Sequence, residues 1–297
     1  MSIHHQLLSH LNPMLRLVRG VGVKSGMISG NCLRVLIYHD IPANELDHFE
    51  SQLCWLKKSW NIITPAQFEQ MISGTEPIIG NNLLITFDDG FLSNRIAADQ
   101  VLNKLNIKAL FFVISDFVSI DDHDEALKFI ADHIIPGSTI SDIPKSWGNM
   151  QWDDLQVLLE QGHTIGCHTK THVRLSDCQN EADLAEEIVA SADVIMKNLG
   201  NIVNHFAYTF GDLESCSQLA QIIAMRKFNF IYSGLRGNNS LNTLPFAIRR
   251  DAAADRSINS EYILFNNKLL DSFLGGFADF RYTESKKILD SWCQTTF

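Results

Sequence analysis

A repeated alternation of short apolar runs and amphipathic stretches, beginning at Leu33, constrains this chain more than any other feature. The run A-L-F-F-V-I-S at 109 to 115 is apolar almost throughout, as suits a strand buried on both faces of a parallel sheet. R-V-L-I-Y-H-D-I from Arg34, N-I-I-T from Asn61, Leu83 to Phe87, H-T-I-G-C from His163, H-F-A-Y-T-F-G from His205, F-I-Y-S-G from Phe230 and P-F-A-I-R-R-D from Pro245 read as further strands. Helical spacing fills the gaps between them. Phe49, Leu53, Leu56 and Trp60 share one face, and short helices are expected near Phe68 to Ile72, Ser93 to Leu105, Trp152 to Glu160 and Ser215 to Arg226. A longer helix over Glu181 to Leu199 buries Leu184, Ile188, Ile195 and Leu199, and Gly200 stops it. Strands alternating with helices imply an α/β fold with a mostly parallel sheet, either open or closed into a barrel.

With 297 residues and 45% hydrophobic content the chain can bury a full core, and one main domain over residues 31–297 is expected. Residues 116–150 break the rhythm with D-D-H-D-E and a loop rich in Pro, Gly and Ser, and are expected to decorate the domain and shape a cleft. A helical segment should close the chain over about 257–297. Residues 1–30 place Leu7, Leu8, Leu11, Met14, Leu15 and Val18 at helical spacing, followed by a glycine-rich linker, G-V-G-V-K-S-G. This helix is expected to dock on its own domain, with peripheral contact to a membrane surface as the alternative.

The net charge of -10 argues against nucleic acid as a partner, because phosphate-binding surfaces are basic. Six cysteines without C-x-x-C spacing read as reduced thiols. Lack of a secretory signal pattern and of a bilayer-length apolar run leads to the expectation of a cytoplasmic protein, at most peripheral at the inner membrane face.

In open sheets and barrels of this class, reactive groups collect at the C-terminal ends of strands. His39, Asp88, Asp89, His168, Tyr208 and Arg249/Arg250 all fall at or just past such ends. Divalent metals of the zinc, cobalt or nickel kind take imidazole and carboxylate ligands, and catalytic sites stop at three so that water can occupy an open position. Asp89, His168 and His172 would supply that set. Gly90 lets the backbone turn sharply, so Asp88 and Asp89 need not face opposite sides. One carboxylate can then bind metal while the other takes a proton. H-T-K-T-H lacks the glutamate of H-E-x-x-H, which disfavours a metalloprotease.

These residues resemble the polysaccharide deacetylases with a NodB-type domain, also called carbohydrate esterase family four. T-F-D-D-G at 86 to 90 is similar to the first motif of that family, H-T-K-T-H at 168 to 172 to the second, with a matching lead-in from Met150, and F-A-Y-T-F-G at 206 to 211 to the third. The resemblance spans about residues 33 to 250. It implies a distorted (β/α) barrel, metal-dependent removal of acetyl groups from sugars, Asp88 as general base, Asp89, His168 and His172 as ligands of a divalent ion such as zinc, and a carbohydrate partner. A main-chain N–H near Tyr208 to Phe210 is the candidate oxyanion donor.

Two departures matter. No histidine follows His205, whereas the common arrangement places its acid near the C-terminus. The branch that includes poly-N-acetylglucosamine deacetylases puts it on an N-terminal strand in a Tyr-His context, and Tyr38-His39 resembles that placement, which makes His39 the candidate acid. Ala207 and Thr209 stand where many members carry arginine and proline; Arg249 or Arg250 is the candidate replacement for the cation that orients the base, with surface salt bridging as the alternative. Trp152 is a candidate for stacking on a sugar ring. Two other readings stay open: an amidase or esterase for another small acyl group, and a catalytically silent carbohydrate-binding or scaffold protein.

Overall fold

The computed structural model describes residues 3–26, 30–253 and 265–294, with side chains from residue 7 onward. Eight short strands alternate with helices: β1 (Cys32–Tyr38), β2 (Asn61–Ile63), β3 (Asn81–Phe87), β4 (Leu110–Val113), β5 (Thr164–Cys167), β6 (His205–Ala207), β7 (Phe230–Tyr232) and β8 (Asp251–Ala252). Their order across the sheet is β7-β6-β5-β4-β3-β1-β8, all pairs are parallel, and β2 pairs β3 separately. The run from Ile248 to Ala252 touches both edges, because Ile248 bridges Tyr232 of β7 while Asp251 and Ala252 pair Leu36 and Ile37 of β1. The sheet therefore curls into a distorted barrel-like layer whose seam this run bridges, with Asn239 N also donating to Leu33 O at 2.9 Å.

Strand alternation sorts the core into two layers. Leu33, Val35, Leu84, Leu110, Phe112, Ala207, Tyr232 and Ile248 form the inner cluster, plugged by Phe68 and Ile72 of helix Pro65–Ile72. Leu36, Tyr38, Leu83, Ile85, Phe87, Phe111, Val113, Cys167, Phe206 and Tyr208 face the other way, into the layer of outer helices. Gly166 is required where the inside is tightest, since a Cβ there would meet the Phe112 ring at 2.7 Å.

The segment 116–150 builds its own small core from Phe117, Ala126, Leu127, Ile130, Ile134, Ile143 and Trp147 against Phe91 and Ile114. Its helix His123–Phe129 continues as a π-helical turn over Ile130–Ile134. The expected helix over 181–199 is present, with a π-helical turn at Glu186–Ala190 in its middle. Helices Asn267–Leu274 and Thr283–Cys293 end the chain; residues 257–264 and 295–297 of the expected C-terminal segment lie outside the described residues.

The N-terminal helix runs Ile3–Lys24 and so absorbs the first part of the glycine-rich stretch read as a linker. It packs on helix Asn267–Leu274 through Leu8, which lies against Leu269, Phe273 and Ala278, and through buried Asn12, while Leu7, Leu11, Met14 and Val18 of the expected stripe face outward. No described helix is long and apolar enough to cross a membrane. All six cysteines are free thiols.

Candidate active site

The C-terminal ends of β1, β3, β5 and the run after β7 converge on one buried cluster. In β3 the inward positions are Leu84 and Thr86, so the next in phase is Asp88; in β5 Gly166 is followed in phase by His168. Asp89 is out of phase by the same rule. It reaches the cluster because its own backbone turns left-handed, at φ 75°, ahead of Gly90 at φ 99°. His168 Nε2 consequently lies 3.6 Å from Asp89 Oδ1 and 3.9 Å from Asp88 Oδ2.

His172 comes from the turn beyond β5 and places its Nε2 3.5 Å from Asp89 Oδ1. Ligand atoms of Asp89, His168 and His172 lie within 4.8 Å of one another, and all three residues are buried. The tautomers are fixed from behind. His168 Nδ1 donates to the Ala207 carbonyl at 2.8 Å, and His172 Nδ1 donates to the His133 carbonyl at 2.9 Å. Each ring thus turns an Nε2 lone pair toward the Asp89 carboxylate, as a pair of neutral imidazole ligands requires. Backbone-anchored imidazoles and a buried carboxylate fit a divalent ion of the zinc, cobalt or nickel class. The insertion contributes to this site, since His133 lies in its π-helical turn and is stacked on Phe129 at 4.5 Å.

The turn carrying His172 is unusual. Thr169 and His172 both have positive φ, 66° and 64°, a conformation that costs non-glycine residues energy unless neighbours hold it. Three groups do so. Glu187, on the π-helical turn, accepts from Lys170 N at 3.1 Å, Thr171 N at 2.9 Å and Thr171 Oγ1 at 2.8 Å. One helical turn on, Ser191 Oγ donates to Thr169 O at 2.8 Å, and Thr169 Oγ1 accepts from His172 N at 3.0 Å. Neither Glu187 nor Ser191 is marked by any motif in the sequence.

Asp88 is held by Arg250, whose Nη1 donates to Oδ1 at 2.8 Å. Arg250 is itself fixed by Nε donating to Ser233 O at 3.0 Å and lies over the Phe112 ring at 5.2 Å. Burial pushes the Asp88 carboxyl up, but the Arg250 charge, then the electrostatic influence of the nearby His168 and His39 rings, and the Arg250 hydrogen bond together hold it below the usual carboxylate range. An ionised carboxylate beside a cluster of imidazoles can accept a proton. His39 follows β1, whose Tyr38 pairs Phe87, so His39 stands abreast of Asp88; its carbonyl accepts from Asn94 Nδ2 at 2.6 Å and the residue is half-buried.

Other expected site residues are placed elsewhere. Arg249 is out of phase with Arg250 and pairs with Asp290 at 2.7 Å on the C-terminal helix, which makes it a structural ion pair. Tyr208 points into the outer layer, where its hydroxyl donates to Gln221, and its N–H is spent on Tyr232 O at 3.0 Å. Tyr208 is therefore out of reach as an oxyanion donor. Phe210 stays at the mouth: it is 37% exposed at φ 60°, its ring 4.7 Å from that of His172 and capped by the Arg174 guanidinium at 4.2 Å. Trp152 packs, partly buried, against the outer core, and Cys167 turns away from the site toward Ser191 Oγ, 3.2 Å distant.

Residues 79–224 match the polysaccharide deacetylase family. The matched stretch begins just before β3 and includes Asp88, Asp89, His168 and His172. YxkH of Bacillus subtilis strain 168, named for the same family, is 32% identical over 109 residues, which cover 34% of this chain and 39% of that protein. The aligned part thus spans about two fifths of that relative's length. Among solved structures, IcaB from Ammonifex degensii superposes with a TM-score of 0.61 at 21% identity, covering 83% of this chain and 98% of that one. The deacetylase PplD of Streptococcus pyogenes, solved with acetate, gives 0.60 at 17% identity, over 82% and 99%. At these identities the likeness is one of fold: a curled parallel sheet of the NodB deacetylase type.

Proposed function

We propose that this protein is a metal-dependent hydrolase that removes acetyl groups from an N-acetylated sugar, oligosaccharide or polysaccharide precursor. The observation that carries the reading is the juxtaposition of Asp89, His168 and His172 with an Arg250-held Asp88 at one mouth of the barrel. Asp89, His168 and His172 would hold a divalent ion, zinc in the first instance with cobalt or nickel as alternatives. Such an ion supplies Lewis acidity toward an acyl oxygen and lowers the pKa of water.

The chain's own groups divide the remaining work. Asp88, kept ionised, accepts the proton of the attacking water at a carboxylate oxygen. Arg250 holds that carboxylate in place and in charge. His39, on the neighbouring strand end, gives a proton to the departing amine, which is a poor leaving group without one. That role assigns the chain to the branch with an N-terminal Tyr-His acid. Phe210 and Arg174 form the rim that a sugar would meet, and Thr209 or Phe210 N–H is the remaining candidate oxyanion donor, since Gly211 N–H bonds Thr209 O.

The test is acetate release from a panel of N-acetylated glycans after chelation and metal add-back, with Asp88→Asn and His39→Ala alongside. Release that depends on metal and is lost in Asp88→Asn is expected. No release from any glycan despite stoichiometric metal binding would turn the assignment toward a silent carbohydrate-binding protein.

A further inference from the structure

His168 follows a regular strand in phase, but the other two proposed ligands do not. Asp89 and His172 are left-handed, at φ 75° and 64°, a conformation that persists only where the surroundings hold it. The segment 116–150 is fastened to both of their turns. At its entry Ser115 N donates to Thr169 O at 3.3 Å and Asp116 N to Lys170 O at 3.1 Å, within the turn that ends in His172. Midway, the His133 carbonyl accepts from His172 Nδ1 at 2.9 Å. At its exit Gly148 O accepts from Leu92 N and Met150 N donates to Gly90 O, both at 2.8 Å, while Asn149 bridges Phe91. Gly90 also lies so close to the segment that a Cβ there would meet Val118 Cγ1 at 3.0 Å.

These attachments are joined through the interior of the segment. Phe91, two residues past Asp89, packs edge-on against Phe117 at 5.8 Å and Trp147 at 5.2 Å. Phe117 stacks on Phe129 at 5.2 Å, and Phe129 on the His133 ring at 4.5 Å. A line of rings thus runs from the Asp89 turn to the residue that holds His172. Asn149, 8% exposed, ties the two ends of the segment together, its Nδ2 donating to Phe117 O at 2.7 Å and to Ile120 O at 2.8 Å. A loop that shaped only a cleft could be anchored anywhere on the rim, whereas this one is bonded to the two turns that strand phase leaves unplaced.

We infer that residues 116–150 are a strap that positions Asp89 and His172 for metal, with Asn149 as its latch, so that metal occupancy and order of the strap are coupled. The inference rests on Asp89, His168 and His172 being the metal ligands. Coupling of this kind is reciprocal: the factor by which loosening the strap weakens metal binding is the factor by which metal suppresses the loosening. Groups that hold a metal ligand from behind are usually worth roughly 10- to 100-fold in affinity, and one latch residue acting through them should be worth about tenfold.

Hydrogen–deuterium exchange of the full chain, with and without saturating zinc, tests this without reference to turnover. Amides of residues 123–131 should exchange about tenfold more slowly with zinc, and those of helix Gln218–Lys227 at an unchanged rate. Asn149→Leu, similar in size but leaving both carbonyls unpaired, should speed exchange over 123–131 in the zinc-free protein and lower zinc affinity about tenfold in chelator competition. Where that variant fails to fold by its melting curve, exchange of the unaltered protein decides. Equal exchange over 123–131 with and without zinc, in a protein that binds zinc, overturns the strap and leaves the metal site standing. So does an Asn149→Leu protein whose segment is loosened while its zinc affinity stays within about twofold of the unaltered chain. Failure of the unaltered protein to bind zinc at all overturns the metal-site reading, and the strap with it.

Discussion

Replacement of Glu187 should weaken metal binding although the residue touches none of the ligands. Its carboxylate accepts three hydrogen bonds from the turn that carries His172, in which Thr169 and His172 are both left-handed. A hydrogen bond to an ionised acceptor is worth about 1.5 kcal/mol or more where water is excluded, but Glu187 is half-buried, and water would replace part of what Glu187→Ala removes. A net loss of about 2 to 3 kcal/mol follows for the turn. That loss frees the two left-handed non-glycine residues to relax, and metal binding must reverse the relaxation. Re-forming the turn before His172 can serve as a ligand then lowers zinc affinity by roughly 30- to 150-fold.

Competition with a chromophoric chelator measures this directly, without reference to turnover. Glu187→Gln retains one oxygen acceptor and should fall in between. Glu181→Ala, which removes only an exposed pair with Arg226 at 3.0 Å on the same helix, should leave affinity unchanged. The reasoning fails if Glu187→Ala is folded by its melting curve and still binds zinc within about twofold of the unaltered protein, a difference of only about 0.4 kcal/mol.

Three further outcomes are expected. In Arg250→Gln, Asp88 loses the cation that holds its carboxyl low, so the base protonates at higher pH and the acid limb of the kcat/KM profile moves upward; the unpaired buried carboxylate should also cost about 3 kcal/mol in urea unfolding. His39→Ala should reduce deacetylation of an N-acetyl substrate by roughly a hundredfold or more, with zinc affinity intact and a much smaller loss on an activated acetyl ester whose leaving group needs no proton; equal losses on both would refute the acid role. His163, buried and kept neutral because burial pulls it down to about 4, accepts from Ala109 N at 3.0 Å. The unfolded chain takes up that proton near 6.5, so stability is lost as pH falls from about 6.5 to about 4, by up to about 3 kcal/mol, and His163→Gln should flatten this slope in urea titrations at successive pH values.

Much of the fold was legible because each strand is a short apolar run bounded by helix-forming sequence. The parallel sheet, the long helix over 181–199 and the strand-end positions of Asp88, Asp89 and His168 follow from that pattern. What escaped it depends on tertiary contact. Nothing in residues 1–30 says which face of the helix docks, because the partner residues Asp271 and Ser272 lie some 260 positions away. The roles of Glu187 and of the His133 carbonyl depend on π-helical turns, which leave no mark in apolar periodicity. Asp89 reaches the metal-type cluster only because its backbone is left-handed, and Gly90 hints at that turn without requiring it.

The choice between Arg249 and Arg250, open in the sequence, is made by strand phase once the inward side of one residue is known. Ile248 packs in the inner cluster, so a chain continuing in extended form sends Arg249 outward and Arg250 inward, and the structure sends Arg249 to Asp290 and Arg250 to Asp88. The same count turns Ala207 inward and Tyr208 outward, and places His39 in phase with Leu33 and Val35. Period-two reasoning across several strands therefore selects His39, Asp88, His168 and Arg250 as the inward set at one end of the barrel. Of the groups given roles in the proposed reaction, Asp89, His172 and Phe210 lie outside that rule and have positive φ, and Arg174 of the rim follows the His172 turn. Regular strands deliver the proposed base, the proposed acid, one proposed ligand and the guanidinium. Left-handed turns, held by Gly90 and the Glu187 clamp, deliver the rest.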